Sequence, residues 1–173
     1  MQNFDKISLA AFDGIFEKIG KEWMLITAKG KTKYGKEAVN TMTASWGGYG
    51  ILWNLPVAFL FVRPQRFTFS LLESSDAFSL SFLPEEKRAA LLTCGTLSGK
   101  NVDKWKASGL TPLENEGVPF VGEARTVLFC RKLYAAPFLE EGFINKELLQ
   151  NYRTDDFHQM YIAEIESVFS KKE

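Results

Sequence analysis

The chain is poor in the side chains on which most catalytic and metal chemistry depends. It has one histidine, His158, and two cysteines, Cys94 and Cys130, among 173 residues. Cysteines this far apart are not a CxxC ligand pair, and one histidine cannot complete a zinc site. In a domain large enough for its own core they read as two free thiols in a reducing compartment. Long apolar runs are missing too. The longest, residues 57–62, falls far short of the roughly 20 residues of a spanning helix. The opening MQNFDKISLAAFDGIFEKIG carries acids where a signal peptide needs an unbroken apolar stretch. The expected location is therefore cytoplasmic, without a membrane partner. Neither sign of charge is in excess: 21 basic and 21 acidic side chains cancel, with a pI near 6.6. No global field draws nucleic acid or anionic lipid, which leaves only a local basic patch open. Also absent are GxSxG, GxxxxGK[ST], HExxH and a GxGxxG after a strand. The chain thus has no visible nicotinamide-binding domain of its own.

What is present is apolar bulk. Apolar residues make up 46% and charged residues 24%, a balance that suits one folded domain over residues 1–173. Fifteen Phe, five Tyr and four Trp fit both a barrel interior and a pocket for a flat ligand, with ordinary core packing accounting for most of them. Residues 4–16 read as a short peripheral element that breaks at Gly14. Residues 23–28 (WMLITA) form a strand before a lysine-rich turn. Residues 40–46 alternate with period two, setting Thr41, Thr43 and Ser45 against Met42, Ala44 and Trp46. Gly47, Gly48 and Gly50 read as a loop, and Pro56 opens a strand, VAFLFV, apolar enough to be buried on both faces. Arg63-Pro64 ends it.

Further on, residues 68–75 read as a helix capped by Thr68, 77–82 as an alternating strand, and 84–92 as a short helix begun by Pro84 and stopped by Gly95. Residues 98–107 read as a helix capped by Ser98, 109–119 as a loop, 123–133 as a strand, 146–152 as helical and 158–169 as a closing strand. Many strands, short helices and no βαβ rhythm predict a mainly β fold, an antiparallel barrel and not a doubly wound sheet.

The residues with chemical promise are cations at element ends. Arg63 and Arg66 bracket a proline turn, so both can reach one site, and guanidinium suits bidentate phosphate binding. On a helix over 98–107, Lys100 and Lys104 share a face. Cations near a helix start oppose its dipole, a conflict that a bound phosphate would remove. The plainer alternative pairs Arg63 and Arg66 with Glu73 or Asp76 and leaves both lysines on a solvated face. Together with the hydroxyl strand, the four cations favour an anion site. Trp46 can edge a flat ligand or sit in the core. For His158, Cys94, Tyr152 and Tyr161, structural roles are the expectation.

These same stretches, NTMTASW, the strand ending in VRPQR, CGTLSGKNVDKW and DFHQMYIAEI, resemble the flavin reductase-like family of FMN-binding split barrels, flavoredoxin type. They follow the family's order over residues 40–168, with Leu55 a departure where many relatives carry a polar or basic residue. The resemblance implies an antiparallel Greek-key split β-barrel that forms a homodimer, with FMN near the interface. It implies that Asn40, Thr41, Met42, Thr43, Ala44, Ser45 and Trp46 line the isoalloxazine and ribityl chain, partly through backbone groups. Arg63, Arg66, Ser98, Gly99, Lys100 and Lys104 then lie near the phosphate. The implied activity is NAD(P)H-dependent reduction of flavin or ferric complexes, with NADH or NADPH as reductant and a small-molecule acceptor. An FMN electron carrier reduced by a redox protein partner, and a non-redox module for another phosphorylated ligand, are the alternatives. A flavin carries its own redox chemistry, so no catalytic side-chain constellation is required.

Overall fold

A computed structural model describes residues 15–171 except for 153 and 155. It begins with a short helix, α1 (Ile15–Glu17), and a π-helical turn (Lys18–Glu22). The peripheral element expected over 4–16 lies almost wholly outside the described residues. There follow strands β1 (Met24–Lys31), β2 (Glu37–Ala44), β3 (Gly47–Leu52) and β4 (Leu55–Val62), helix α2 (Phe67–Glu73) and strand β5 (Ala77–Phe82). Next come helices α3 (Arg88–Thr96) and α4 (Lys104–Ser108), then strands β6 (Pro112–Asn115), β7 (Val118–Val121), β8 (Thr126–Pro137) and β9 (Gln159–Ser170). No helix among the described residues is long and apolar enough to cross a membrane.

Seven strands form one sheet in the order β2-β1-β5-β8-β9-β4-β3, every pairing antiparallel, and β6-β7 form a separate hairpin. The two outermost strands, β2 and β3, are joined by Ser45 and Trp46 alone. Two residues span at most about 7 Å when extended. The sheet must therefore curl until its edges meet at that corner, which makes it a barrel with a seam at Ala44–Gly47. Gly47 permits the corner: a Cβ there would lie 2.8 Å from the Phe59 carbonyl oxygen, a distance no other residue type tolerates.

Inward side chains of this curl, including Met24, Ile26, Met42, Leu60, Phe78 and Tyr161, form the main core. Each fully buried side chain of this size contributes on the order of 1.5–3 kcal/mol. A second core packs Leu25 and Phe129, on the other face of the sheet, against Leu91 and Cys94 of α3 and Val121 of β7. This second layer explains why the hydroxyl row of β2 is not a solvent face. Thr41 is fully buried, receives a hydrogen bond from the Thr27 hydroxyl at 2.9 Å, and Thr43 donates to the Leu91 carbonyl at 2.5 Å.

Several local expectations are corrected. The glycine stretch is strand β3, because the reversal occurs at Trp53-Asn54, both at positive φ (54° and 59°), the geometry of a tight two-residue hairpin. In VAFLFV, Phe59 and Phe61 are only half-buried. Arg66 occupies the α2 cap position, while the Thr68 hydroxyl, expected as the cap, accepts from Asn40 Nδ2 at 2.7 Å. A 3-10 turn (Glu85–Lys87) precedes α3, which runs through Gly95 to Thr96. The helix expected over 98–107 is confined to Lys104–Ser108, since the Asp103 carboxylate accepts from the amides of both Trp105 and Lys106 and caps it. The stretch expected as a loop holds the β6-β7 hairpin, and the segment 146–152 is a 3-10 helix.

Candidate functional site

Two neighbouring pockets open at the barrel seam. The first, about 160 Å³, is walled by the end of β2 and the corner after it (Met42, Thr43, Ala44, Ser45, Trp46), by Phe61 and Arg63 of the β4 end, and by Arg66 and His158. The second, about 480 Å³, lies between the start of α2 and the α3–α4 connection, with Gln65, Phe67, Thr68, Thr96, Leu97, Ser98, Gly99, Lys100 and Lys104. Met42 and Arg66 line both, so the two pockets are neighbours.

Eleven of the thirteen residues singled out in the sequence thus line these two neighbouring pockets; Asn40 and Thr41 do not. Asn40 is buried and donates to Thr68 Oγ1 and to the Thr41 carbonyl, and Thr41 faces the second core. Both act behind the wall. Arg63 is also displaced from its expected place: it lines the first pocket, apart from Ser98, Gly99, Lys100 and Lys104 in the second. Its guanidinium donates to the Asn151 carbonyl at 2.8 Å, sits 3.8 Å from the Asp156 carboxylate, and lies over the Tyr152 ring.

The second pocket is cationic by construction. Arg66 donates to the Gly95 carbonyl at 3.0 Å, Lys100 to the Gln65 carbonyl at 3.0 Å, and Lys104 to the Thr41 and Cys94 carbonyls at 3.1 and 2.7 Å. Carbonyls hold these side chains in place without neutralising them, and no acidic residue lines either pocket. Lys104 is only 3% exposed. Burial, reinforced by Arg66 and opposed by Cys94, pulls its pKa from 10.5 down to about 8. The pocket therefore holds an ammonium that lacks a counter-charge. Gly99 lets the loop close over it: a Cβ there would fall 2.6 Å from Asn40 Oδ1 and 2.7 Å from the Phe67 ring.

The first pocket is aromatic. Trp46 is half exposed, and its ring lies 5.4 Å from that of His158. The His158 Nδ1 shares a 2.9 Å hydrogen bond with the Tyr152 hydroxyl. Burial, then the charges of Arg63 and Arg66, push the His158 pKa down to about 4, so it is a neutral imidazole at neutral pH. Burial likewise raises the Cys94 thiol, outweighing Ser108 and Lys104, and keeps it protonated behind the pocket. His158, Phe61, Phe67 and Gln65 were not picked out as ligand-facing from sequence. Gln65 and Phe67 flank Arg66, so that arginine was the signal for both. His158 arrives from the segment just before β9, remote in sequence.

No group of His, Cys, Asp and Glu among the described residues is placed to hold a metal ion. The space suits a flat group with an anionic end: an aromatic slot leading to cations fixed by carbonyls.

Comparison with known proteins agrees with this architecture. An FMN-binding protein from Thermus thermophilus, solved with p-hydroxybenzaldehyde, superposes with a TM-score of 0.68 at 21% identity, over 98% of this chain and 82% of that one. A flavoredoxin of Desulfovibrio vulgaris (Miyazaki F) gives 0.64 at 22% identity, over 97% and 78%. A split barrel domain protein from Shewanella frigidimarina gives 0.65 at 17% identity, over 95% and 76%. At these identities the likeness carries the fold, a split barrel. No protein with a curated description matches the chain by sequence. The sequence model of the flavin reductase like domain does, over residues 16–173. By that match over most of its length, the chain belongs to the flavin reductase-like domain family.

Proposed function

We propose that the two neighbouring pockets together hold FMN and that the protein is a flavin-dependent oxidoreductase reduced by NADH or NADPH. The observation that carries this reading is the set of three cations, Arg66, Lys100 and Lys104, fixed by backbone carbonyls beside an aromatic slot. A phosphate monoester carries about −1.5 to −2 charges near neutral pH, which matches an ammonium and a guanidinium lacking counter-charges. The Ser98 hydroxyl and the tight Gly99 loop complete that pocket. The backbone and side chains from Met42 to Trp46 border the place for the ring system and ribityl chain.

Bound FMN would supply hydride acceptance from a nicotinamide and electron delivery to an acceptor. The protein's part is position and field. Arg66 touches both pockets and favours negative charge in either. Neutral His158 offers hydrogen bonding at the slot without adding a third positive charge beside Arg63 and Arg66. Half-exposed Trp46 stands at the rim, where a second reactant enters. A second copy of the chain is part of the proposal, because Ile51 and Trp53 on the β3-β4 hairpin that continues from Trp46 are exposed at 74% and 56%.

Anaerobic titration of the flavin-loaded protein with NADH and with NADPH tests the reading. Bleaching of the flavin absorbance by either supports the reductase. Stable flavin binding without bleaching points to a carrier reduced by a protein partner. Purified protein that FMN cannot reconstitute would sink both.

A further inference from the structure

A third cavity, about 660 Å³, lies between the β1-β2 turn and the start of α2. Its floor is apolar: Ala38, Phe67 and Phe69 pack against the main core and also line this space, with Pro64 beside them. Its outer wall is the turn, which is tied by its own backbone. The Thr32 amide donates to the Lys36 carbonyl and the Gly35 amide to the Thr32 carbonyl, both at 2.8 Å. Gly35, at φ 78°, supplies the left-handed residue that this closure needs. The turn holds Tyr34 84% exposed, with the Lys33 ammonium 4.9 Å from its ring centre.

Four cations surround this apolar centre: Lys33, Lys36, Arg66 and Lys100. Among the described residues, none of the four pairs with a carboxylate, and no acidic side chain lines the cavity. The acid next to Lys36 in sequence, Glu37, is exposed and does not line it. Arg66 and Lys100 also line the cationic pocket, whereas Lys33 and Lys36 line neither of the pockets assigned to flavin. Small-molecule sites bury most of their ligand, yet here Lys33, Tyr34, Lys36 and Lys100 all stand exposed. An apolar centre inside a charged, solvent-facing rim, with a tyrosine at its edge, is how protein–protein contacts are built. The single sign of the rim sets the chemistry of the partner, because it attracts carboxylates and repels basic surfaces.

We propose that this face docks an acidic segment of a partner protein. One apolar side chain of that segment enters the cavity against Tyr34, Phe67 and Phe69, and its carboxylates meet Lys33, Lys36 and Lys100. One anchor and a few ion pairs make a transient, charge-steered contact, the kind that suits a partner which exchanges electrons and leaves. The docking itself does not depend on the flavin reading.

The test selects random peptides displayed on phage against the wild-type protein, with the double variant Tyr34→Ala/Lys36→Glu as counter-target. Both substitutions lie on the exposed turn and outside the cationic pocket, so a peptide held in that pocket binds both proteins alike; circular dichroism melting checks that the variant is folded. Peptides that prefer the wild type should carry carboxylates on either side of one aromatic or aliphatic residue. By fluorescence anisotropy, the synthetic consensus peptide should bind the wild type roughly tenfold or more tightly than the double variant, and should weaken as salt rises. Lys171→Glu changes the net charge equally at the other end of the sheet, and should bind the peptide as the wild type does. No peptide enriched over the counter-target, enriched peptides without acidic residues, or equal weakening by Lys171→Glu overturns the proposal. If no peptide is selected but ATP binds the wild type by calorimetry and not the double variant, the occupant is a nucleotide and the assignment to a protein partner is wrong.

Discussion

Lys104 gives the sharpest quantitative expectation. Its drop from 10.5 to about 8 corresponds to roughly 3 kcal/mol of disfavoured charge. Between pH 8 and 10.5 the unfolded chain holds a proton that the empty folded site does not, so this group makes the ligand-free protein more stable as pH rises through that window. Ligand binding has the opposite sign. A phosphate dianion in the pocket favours the ammonium, so FMN binding above pH 8 takes up a proton. With a pKa near 8, Lys104 is about nine-tenths charged at pH 7 and one-tenth at pH 9, and FMN affinity should fall roughly tenfold between them. The phosphate's own second ionisation, near pH 6, is complete in this range.

Calorimetry at pH 7 and pH 9, in buffers of different ionisation enthalpy, reads both the affinity and the proton uptake. Lys104→Met is the matched variant. It leaves the Cys94 carbonyl without its lysine donor, at about 1–3 kcal/mol, the Thr41 carbonyl keeping Asn40, while removing the roughly 3 kcal/mol charge penalty. Its stability should therefore stay close to wild type, and its FMN affinity should be lower at pH 7 and flat across the range. An affinity that is flat in the wild type with no proton uptake, or a slope that persists in Lys104→Met, refutes the placement of the phosphate beside Lys104.

Three further outcomes follow from the geometry. The preference for FMN over riboflavin should survive Arg63→Ala, since Arg63 is tethered to Asn151 and Asp156, but fall by one to two orders of magnitude in Arg66→Ala, the equivalent of about 1.5–3 kcal/mol for a charge-assisted hydrogen bond; flavin fluorescence titration distinguishes them. Gly99→Ala forces Asn40 or Phe67 to move and should destabilise the fold by about 1–3 kcal/mol, read from urea unfolding midpoints. His158, with its pKa lowered to about 4, leaves the unfolded chain with the extra proton between pH 4 and 6.5, so stability should fall by up to about 3 kcal/mol as pH drops through that window, a loss absent in His158→Asn.

The strands could be read from sequence because their signal is local: alternation or an unbroken apolar run survives whatever packs against it. Elements that depend on distant partners could not be read this way. In the hydroxyl row of β2, Thr43 and Ser45 do wall the first pocket, but Thr41 is buried behind it and Thr43 is also tied to α3, about fifty residues along the chain; the row's amphipathic pattern is the same under either cover. The β3 glycines looked like a loop because glycine marks turns, whereas here Gly47 serves the close approach at the barrel corner and the turn falls at Trp53-Asn54. Lys100 and Lys104 were assigned to one site for a reason that proved wrong: they share no helix face, and converge because the 98–103 turns fold the chain over Asn40.

The two arginines show the same limit at its most local. Arg63 and Arg66 bracket Pro64-Gln65, and the Arg66 amide does donate to the Arg63 carbonyl at 3.0 Å, closing the expected turn. A turn fixes where two backbones lie and leaves their side chains free to part. Arg63 is drawn to a carbonyl and a ring of the segment before β9, and Arg66 to the C-terminal end of α3, where the last carbonyls of a helix attract a cation. Because the Gly95 carbonyl neutralises nothing, Arg66 keeps its full charge for the pocket, while Arg63 has Asp156 beside it. Of two identical side chains three residues apart, the one held by a helix end is the one available to an anion.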